Sequence, residues 1–133
     1  MQTITLADHE ARLDDVMAQV LDANNMKLVA CINGQQKAAL IGHQVSCERI
    51  YEIFRPDYAT RVWAACPQAG IDIPLRFHIF RNAEGQLQMN YRLPGEVFAR
   101  WQNEALNDLA ENELDPLFEA MVVDFSALLN AQR

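Results

Sequence analysis

The segment Leu75–Tyr91 constrains the fold most, because two runs of alternating apolar and polar residues flank Gly85 there. One parity of both runs is apolar: Leu75, Phe77, Ile79, Leu87, Met89 and Tyr91. The other parity collects the polar side chains Arg76, His78, Gln88 and Asn90. A period of two is typical of a half-buried strand, so the pattern predicts a β-hairpin with one face in the core and one face in water.

The pairing within this hairpin follows from its loop. A tight turn that pairs Arg81 with Gln86 would place apolar residues opposite polar ones. A loop of residues 82–84, followed by Gly85 in a left-handed bulge, keeps like residues together. The second loop predicts three cross-strand pairs: Ile79 with Leu87, Phe77 with Met89, and Leu75 with Tyr91.

Helices and further strands surround the hairpin. A helix capped by Asp8 and ending at Asn24-Asn25 has one apolar face: Leu13, Val16, Met17, Val20 and Leu21. Two segments are rich in strand formers: Met26–Ile32 and Arg49–Phe54. Between them, Lys37–Ile41 fits a returning strand or a short helix. Pro56 suits the first turn of a helix that runs to about Cys66.

The remainder of the chain is predicted to be helical. Helical residues follow Pro94-Gly95, and Asp115-Pro116 is expected to cap and begin a last helix. This helix has a wide apolar stripe: Leu117, Phe118, Met121, Val122, Phe125, Leu128 and Leu129. We therefore predict one α+β domain over residues 1–133, an antiparallel sheet layered against helices in a two-layer sandwich.

Charge and hydropathy restrict the partners. The net charge is −7, and residues 101–133 hold seven acidic residues against Arg133 alone. This acidic third would repel phosphate backbones, so no nucleic acid is expected as a partner. It fits a solvated helical face or a dock for a basic protein. No apolar run approaches the roughly 20 residues that cross a bilayer, so no membrane insertion is expected.

The cysteines favour a reducing compartment. Cys31, Cys47 and Cys66 are odd in number and widely spaced, which argues against a disulfide framework. Cys31 falls in a predicted strand and is expected to be a small core residue. The first residues lack the basic and apolar regions of a signal peptide, so a cytoplasmic location is expected.

The hairpin also carries a family resemblance. The run Gly70–Pro94 resembles the core of domain-of-unknown-function family 302 (DUF302). That pattern has a Gly, a Leu-Pro, an apolar strand, an acidic turn ending in Gly, and a strand closing in Tyr-x-x-Pro. Five residues match it: Gly70, Pro74, Gly85, Tyr91 and Pro94. The resemblance extends over nearly the whole chain and implies an α+β sandwich and a homodimer, but no established reaction.

Two positions depart from the family pattern. Arg55 stands where the family usually has Asn before the proline, here Pro56. Leu75 stands where many members have Cys. If that Cys carries chemistry elsewhere in the family, the chemistry is absent from this chain.

Motifs for catalysis and cofactors are sparse. His43 and Cys47 are a lone pair at ligand spacing, which is too little for a zinc site, so neither a metal nor a cofactor is expected. Neither a GxGxxG nor a P-loop occurs. The enzymatic alternative is a thiol-dependent, redox or metal-binding protein that uses Cys47 or Cys66 with a histidine such as His78.

The polar parity of the hairpin is the best candidate site. Arg76, His78, Gln88 and Asn90 could bind a small polar or anionic ligand, with Arg76 supplying the charge. The same residues also fit the wet face of an ordinary half-buried hairpin. Arg49, Tyr51 and Arg55 would extend the site if their strand lies beside the hairpin. We therefore expect a binding protein with no catalytic residues.

The apolar stripe of the last helix bears on assembly. Its seven large residues, with Phe98 and Trp101, exceed what one thin layer needs to cover. A two-fold homodimer through the helices or a sheet edge would bury the excess. The alternative is that the sheet of one chain covers them all.

Overall fold

The computed structural model describes residues 1–131 and consists of an antiparallel sheet with helices on one face. The five strands lie in the order β1-β5-β4-β3-β2. Their bounds are Gln2–Thr5 (β1), Lys27–Asn33 (β2), Glu48–Phe54 (β3), Leu75–Arg81 (β4) and Leu87–Tyr91 (β5). The helices are Leu13–Ala23 (α1), Gly34–Ala39 (α2), Pro56–Ala65 (α3), Pro94–Phe98 (α4), Glu104–Leu109 (α5) and Asp115–Asn130 (α6). The predicted α+β class is confirmed.

The main core lies between the sheet and the helices α1 and α6. Phe77 of β4 is 2% exposed, and its ring centroid lies 5.5 Å from that of Phe118 on α6. Met89 of β5 is 1% exposed, so the apolar parity of the hairpin faces the helices as predicted. A second cluster joins α3, α5 and the turns beside them: Val62, Ala69, Phe98, Leu106, Leu109, Ala110 and Leu114.

The predicted pairing of the hairpin is wrong by two residues. Phe77 lies opposite Tyr91, and Ile79 lies opposite Met89. The loop closes one position later than expected, with a hydrogen bond from the Asn82 N–H to the Gln86 carbonyl at 3.0 Å. A shift of two residues preserves the alternation, so each side chain keeps its predicted face.

Several local expectations need correction. The edge strand β1 was missed, because its four residues carry mostly polar side chains. Of the two alternatives for Lys37–Ile41, a returning strand or a short helix, the structure has the helix. This helix, α2, starts after Asn33 and ends at Ala39. Cys31 is exposed instead of buried, because β2 is the other edge of the sheet.

Two aspartates expected to cap helices bind elsewhere. Asp8 accepts a hydrogen bond from Arg81 Nη2 at 2.7 Å, and the helical segment starts with a 3-10 turn at Glu10. Asp115 accepts a hydrogen bond from the Gly95 N–H at 2.8 Å, in the first turn of α4. A Cβ at Gly95 would lie 2.7 Å from Asp115 Oδ2, so any larger residue here would displace the Asp115 carboxylate.

The apolar stripe of α6 is mostly covered within one chain. Phe118, Met121, Val122, Phe125 and Leu129 are all buried, while Leu128 is 39% exposed. The excess that suggested a dimer through the helices is therefore small. A π-helical turn, Ala110–Leu114, joins α5 to α6 and buries Leu114 in the second cluster.

Arg55 links two helix ends. Its Nη1 donates to the carbonyl of Asn24, just after α1, at 3.1 Å. Its Nε donates to Asp57 in the first turn of α3 at 2.9 Å, and the guanidinium lies 4.6 Å from the Tyr58 ring centroid. Arg55 is therefore a structural residue here and does not join the hairpin's polar face. Within residues 1–131, no helix is long and apolar enough to cross a membrane.

The Asp115–Gly95 contact generates a stability prediction. Asp115→Ala removes the acceptor for a helix-start N–H, so we expect the free energy of unfolding to fall by about 1 kcal/mol. Asp115→Asn keeps an oxygen acceptor and should lose less. Urea unfolding followed by circular dichroism measures both. The matched control is Asp124→Ala on the exposed side of α6; an equal loss there would contradict the assigned role.

Candidate functional site

The sheet face turned away from α1 and α6 carries the predicted polar residues. Arg76, His78 and Asn90 line one cleft on this face, whose volume is about 820 Å³. Gln88 lies on the same face outside the cleft lining, and its Nε2 donates to Thr5 Oγ1 at 3.2 Å. The structure thus brings three of the four predicted residues together around one space.

Three parts of the chain enclose this cleft. The floor is the open face of β3, β4 and β5, one wall is the connection before β4, and the other wall runs from the end of β5 through α4 to Arg100. Apolar side chains from floor and walls are interleaved with the polar ones: Ile50, Ile71, Pro74, Leu75 and Val97. The cleft therefore offers both charged and apolar contacts to an occupant.

A hydrogen-bonded chain crosses four strands on the cleft floor. Glu48 Oε2 contacts His78 Nε2, and His78 Nδ1 lies 3.2 Å from Asn90 Nδ2. Thr3 Oγ1 donates to Asn90 Oδ1 at 2.7 Å. Because Asn90 Nδ2 donates to Nδ1 in this amide orientation, the His78 proton belongs on Nε2, facing Glu48. The phenyl ring of Phe80 stacks on the imidazole with centroids 5.0 Å apart, so His78 is held in place from two directions.

Three arginines contribute the positive charge of the cleft. Arg76 Nη2 lies 3.3 Å from Glu52 Oε2, and Arg100 is paired with Asp72. Arg92 lies one residue beyond β5 and is exposed. Within the described residues it forms neither a side-chain hydrogen bond nor a salt bridge. Arg92 is thus a guanidinium at the cleft with its donors facing solvent.

Sequence reasoning did not single out five charged residues that line the cleft: Glu48, Asp72, Arg92, Glu96 and Arg100. Glu48 directly precedes the predicted strand and shares the parity of Ile50, which was a usable signal. Arg92 continues the polar parity of Gln88 and Asn90, so it too was within reach. Arg100 enters from a distant turn, and nothing local in the sequence indicated it.

The expected extension of the site through Arg49 and Tyr51 is wrong. Tyr51 lies opposite Phe77 and is 1% exposed, so this parity of β3 faces the helices. Its hydroxyl donates to Asp14 Oδ1 at 2.5 Å, and Arg49 Nη1 donates to the same oxygen at 3.0 Å. Burial, followed by the bond to Asp14, raises the pKa of Tyr51. The hydrogen bonds from Arg49 and Tyr51 to Asp14 link β3 to α1 on the face of the sheet opposite the cleft.

Two of the three cysteines, Cys31 and Cys47, lie in surroundings that disfavour a thiolate. Cys47 is buried, and burial followed by the charge of Glu10 raises the pKa of its thiol. Burial followed by the charge of Asp14 raises the pKa of Cys31. Cys66 is half-buried and packs against the second cluster. No histidine is among the groups that shift the pKa of Cys47.

Within residues 1–131, no group of three or more His, Cys, Asp or Glu side chains is placed to hold a metal ion. A second, apolar crevice of about 40 Å³ lies where the two core clusters meet, beside Arg55 and Tyr58. Its small volume suits a packing defect better than a substrate site.

Comparison with known proteins agrees with this α+β architecture. The model of the family described as "Domain of unknown function DUF302" matches residues 3–122. The chain therefore belongs to the DUF302 family. A crystal structure of an uncharacterised conserved DUF302 protein from Bacillus stearothermophilus superposes with a TM-score of 0.82 at 14% identity, covering 92% of this chain and 95% of that one. No curated protein matches the chain.

The surroundings of the cysteines predict their pH behaviour. We expect Cys31 and Cys47 to react with iodoacetamide only as the pH rises above the ordinary thiol pKa, since the neutral thiol is favoured below it. Rates of alkylation at each cysteine, followed by peptide mass spectrometry from about pH 6 to about pH 10, span the ordinary thiol pKa of about 8.5 and measure this. A half-maximal rate below pH ~8 at Cys47 would instead revive the thiol-dependent alternative.

Proposed function

We propose that the chain binds a small anionic molecule in the cleft on the open face of its sheet, without catalysing a reaction. The observation that carries this proposal is the guanidinium of Arg92, which lines the same cleft as Arg76 and forms neither a side-chain hydrogen bond nor a salt bridge within residues 1–131. A guanidinium binds carboxylates and phosphates through two parallel hydrogen bonds. The proposal keeps Arg76, His78 and Asn90 as ligand-binding residues and adds Arg92.

Charge placement supports an anion. Three arginines and three carboxylates line this cleft. Glu48, Asp72 and Glu96 already contact His78, Arg100 and the N-terminal amine, respectively. Arg76 of β4 and Arg92, one residue beyond β5, continue the same polar parity, and like charges so placed repel each other. A bound anion between them would relieve that repulsion. The salt bridge between Arg76 and Glu52 is exposed and therefore contributes little free energy. The Arg76 side chain can leave it to bind a ligand.

The other cleft residues restrict the kind of anion. The fixed His78–Asn90 pair provides polar contacts on the floor, while Ile71 is 78% exposed on the rim. Ile50 and Val97 add apolar surface inside. These features suit an organic carboxylate or phosphate that has an apolar group better than a bare inorganic ion.

Association into a homodimer and a cytoplasmic location remain part of the proposal. The homodimer rests on exposed apolar side chains and no longer on the α6 stripe, since that stripe is mostly buried. The cytoplasmic location rests on the three free thiols in the chain. A thiol-dependent enzyme is the less favoured alternative, because burial raises the pKa of Cys47.

Titration with defined anions tests the binding proposal. Citrate, benzoate, inorganic phosphate and adenosine monophosphate are added separately to ¹⁵N-labelled protein, and amide shifts are followed by NMR. We expect at least one organic anion to shift amides of β4 and β5 around the cleft. Arg92→Ala and Arg76→Ala should each weaken its binding by about tenfold or more, since a hydrogen bond to a charged group contributes about 1.5–3 kcal/mol.

The matched control is Arg61→Ala on α3. Arg61 is exposed and paired with Glu113, away from the cleft lining. Arg61→Ala removes the same single positive charge as Arg92→Ala. Because salt screens charges at a distance, this control should change the affinity for the anion by less than about twofold. An equal loss in the Arg61 and Arg92 variants, or no shifts at the cleft with any of the four anions, would refute the proposed function.

A further inference from the structure

More than half of the exposed large apolar side chains lie on β2 or on the connection from β2 to β3. Eleven large apolar residues are exposed among the described ones, and six of them lie on β2 or on the connection from β2 to β3: Leu28, Val29, Ile32, Leu40, Ile41 and Val45. Val29 is 56% exposed and Ile41 is 75% exposed. We call these six residues the β2 patch. Leu28 lies opposite Ile53 on the helix side of the sheet, and Ile32 lies opposite Ile50 on the cleft side. An edge that exposes apolar groups on both faces is typical of an interface with another protein.

The backbone of β2 is available for pairing. β2 is an edge strand that pairs with β3 only, so its outer side has no partner within the described chain. The opposite edge is different, because β1 has only four residues and its Thr3 and Thr5 side chains are bonded to β5 residues. Native edges are commonly protected by short length, charge or polar groups. β1 has such protection, and β2 has a single lysine at its start, Lys27, and a bulge between Leu28 and Ala30.

The charge distribution favours a second copy of this chain as the partner of the β2 patch. No acidic residue lies between Asp22 and Glu48, in a chain that has 18 of them and a net charge of −7. Two copies of so acidic a chain repel each other over most of their surfaces. The segment around the β2 patch carries only Lys27 and Lys37, so it is where that repulsion is weakest.

We infer that the β2 patch is the surface through which a second copy of this chain docks, with the two β2 strands antiparallel about a two-fold axis. This inference rests on the proposed homodimer and names its interface. A two-fold arrangement uses the same patch twice and closes after two copies. It would cover both exposed edges and join the two sheets into one. The bulge restricts regular pairing to Ala30–Asn33, so the axis passes close to Cys31.

The mass in solution is the first test. We expect the wild-type protein to elute, under multi-angle light scattering, at twice the chain mass of 15.1 kDa. The double variant Val29→Glu/Ile32→Glu places four like charges at the two-fold interface and should elute at the single-chain mass, with unchanged circular dichroism. The control is Val123→Glu, since Val123 is 66% exposed on α6, away from the patch, and should leave the dimer intact.

Cross-linking tests the same surface without disturbing it. Side chains directly or diagonally opposite across paired strands have Cβ atoms within about 8 Å, so a short bis-maleimide should link Cys31 to Cys31 of the second copy. Cys31→Ser should abolish the link. The double variant Cys31→Ser/Ala127→Cys has an exposed thiol on α6 in place of the one on β2, and it should not form a cross-linked dimer.

The outcomes separate the two proposals. A wild-type monomer at every concentration would overturn the homodimer and this interface together, while anion binding in the cleft would stand. A dimer that survives Val29→Glu/Ile32→Glu, or that links through Ala127→Cys as well as through Cys31, would overturn the interface alone. Loss of the dimer in Val123→Glu would also overturn it, by placing the contact on α6.

Discussion

One-sided burial of the sheet determines the rest of the structure. α1 and α6 cover one face, and the period of two along each strand then assigns every residue either to that core or to the open face. Phe77 and Met89 are buried for this reason, and His78 and Asn90, their neighbours in sequence, are turned to the cleft. The candidate site is therefore a by-product of the packing that stabilises the fold.

The open face is organised rather than merely solvated. A bonded chain from Glu48 through His78 and Asn90 to Thr3 links four strands on the side turned away from α1 and α6. Such a network fixes side-chain positions before a ligand arrives, which lowers the entropic cost of binding. Arg92 lacks such bonds among the described residues, and the contrast between fixed neighbours and a free guanidinium is what distinguishes this face from an ordinary wet sheet surface.

The sequence was informative where alternation is strong and uninformative where it is mixed. The faces of β4 and β5 were predicted correctly because apolar and polar residues separate cleanly by parity. In β3 each parity contains both charged and large apolar or aromatic residues: Glu48 and Ile50 share one face, and Arg49 and Tyr51 share the other. The sequence of the strand alone therefore could not predict which face is buried. Burial of Tyr51 depends on Asp14, which α1 brings to it from 37 positions away. Arg100 reaches the cleft only through tertiary packing, and β1 is too short and polar to be recognised.

The hairpin around Gly85 shows how such a fold accommodates changes in chain length. Its real pairing differs from the expected one by two positions, yet both arrangements direct the same side chains inward. An insertion or deletion of one residue within either strand would move every side chain between that point and the turn to the opposite face of the sheet. An insertion or deletion of two residues would leave each side chain on its original face. Natural variation in this ribbon is thus expected to proceed in even steps, with odd changes restricted to the turn itself.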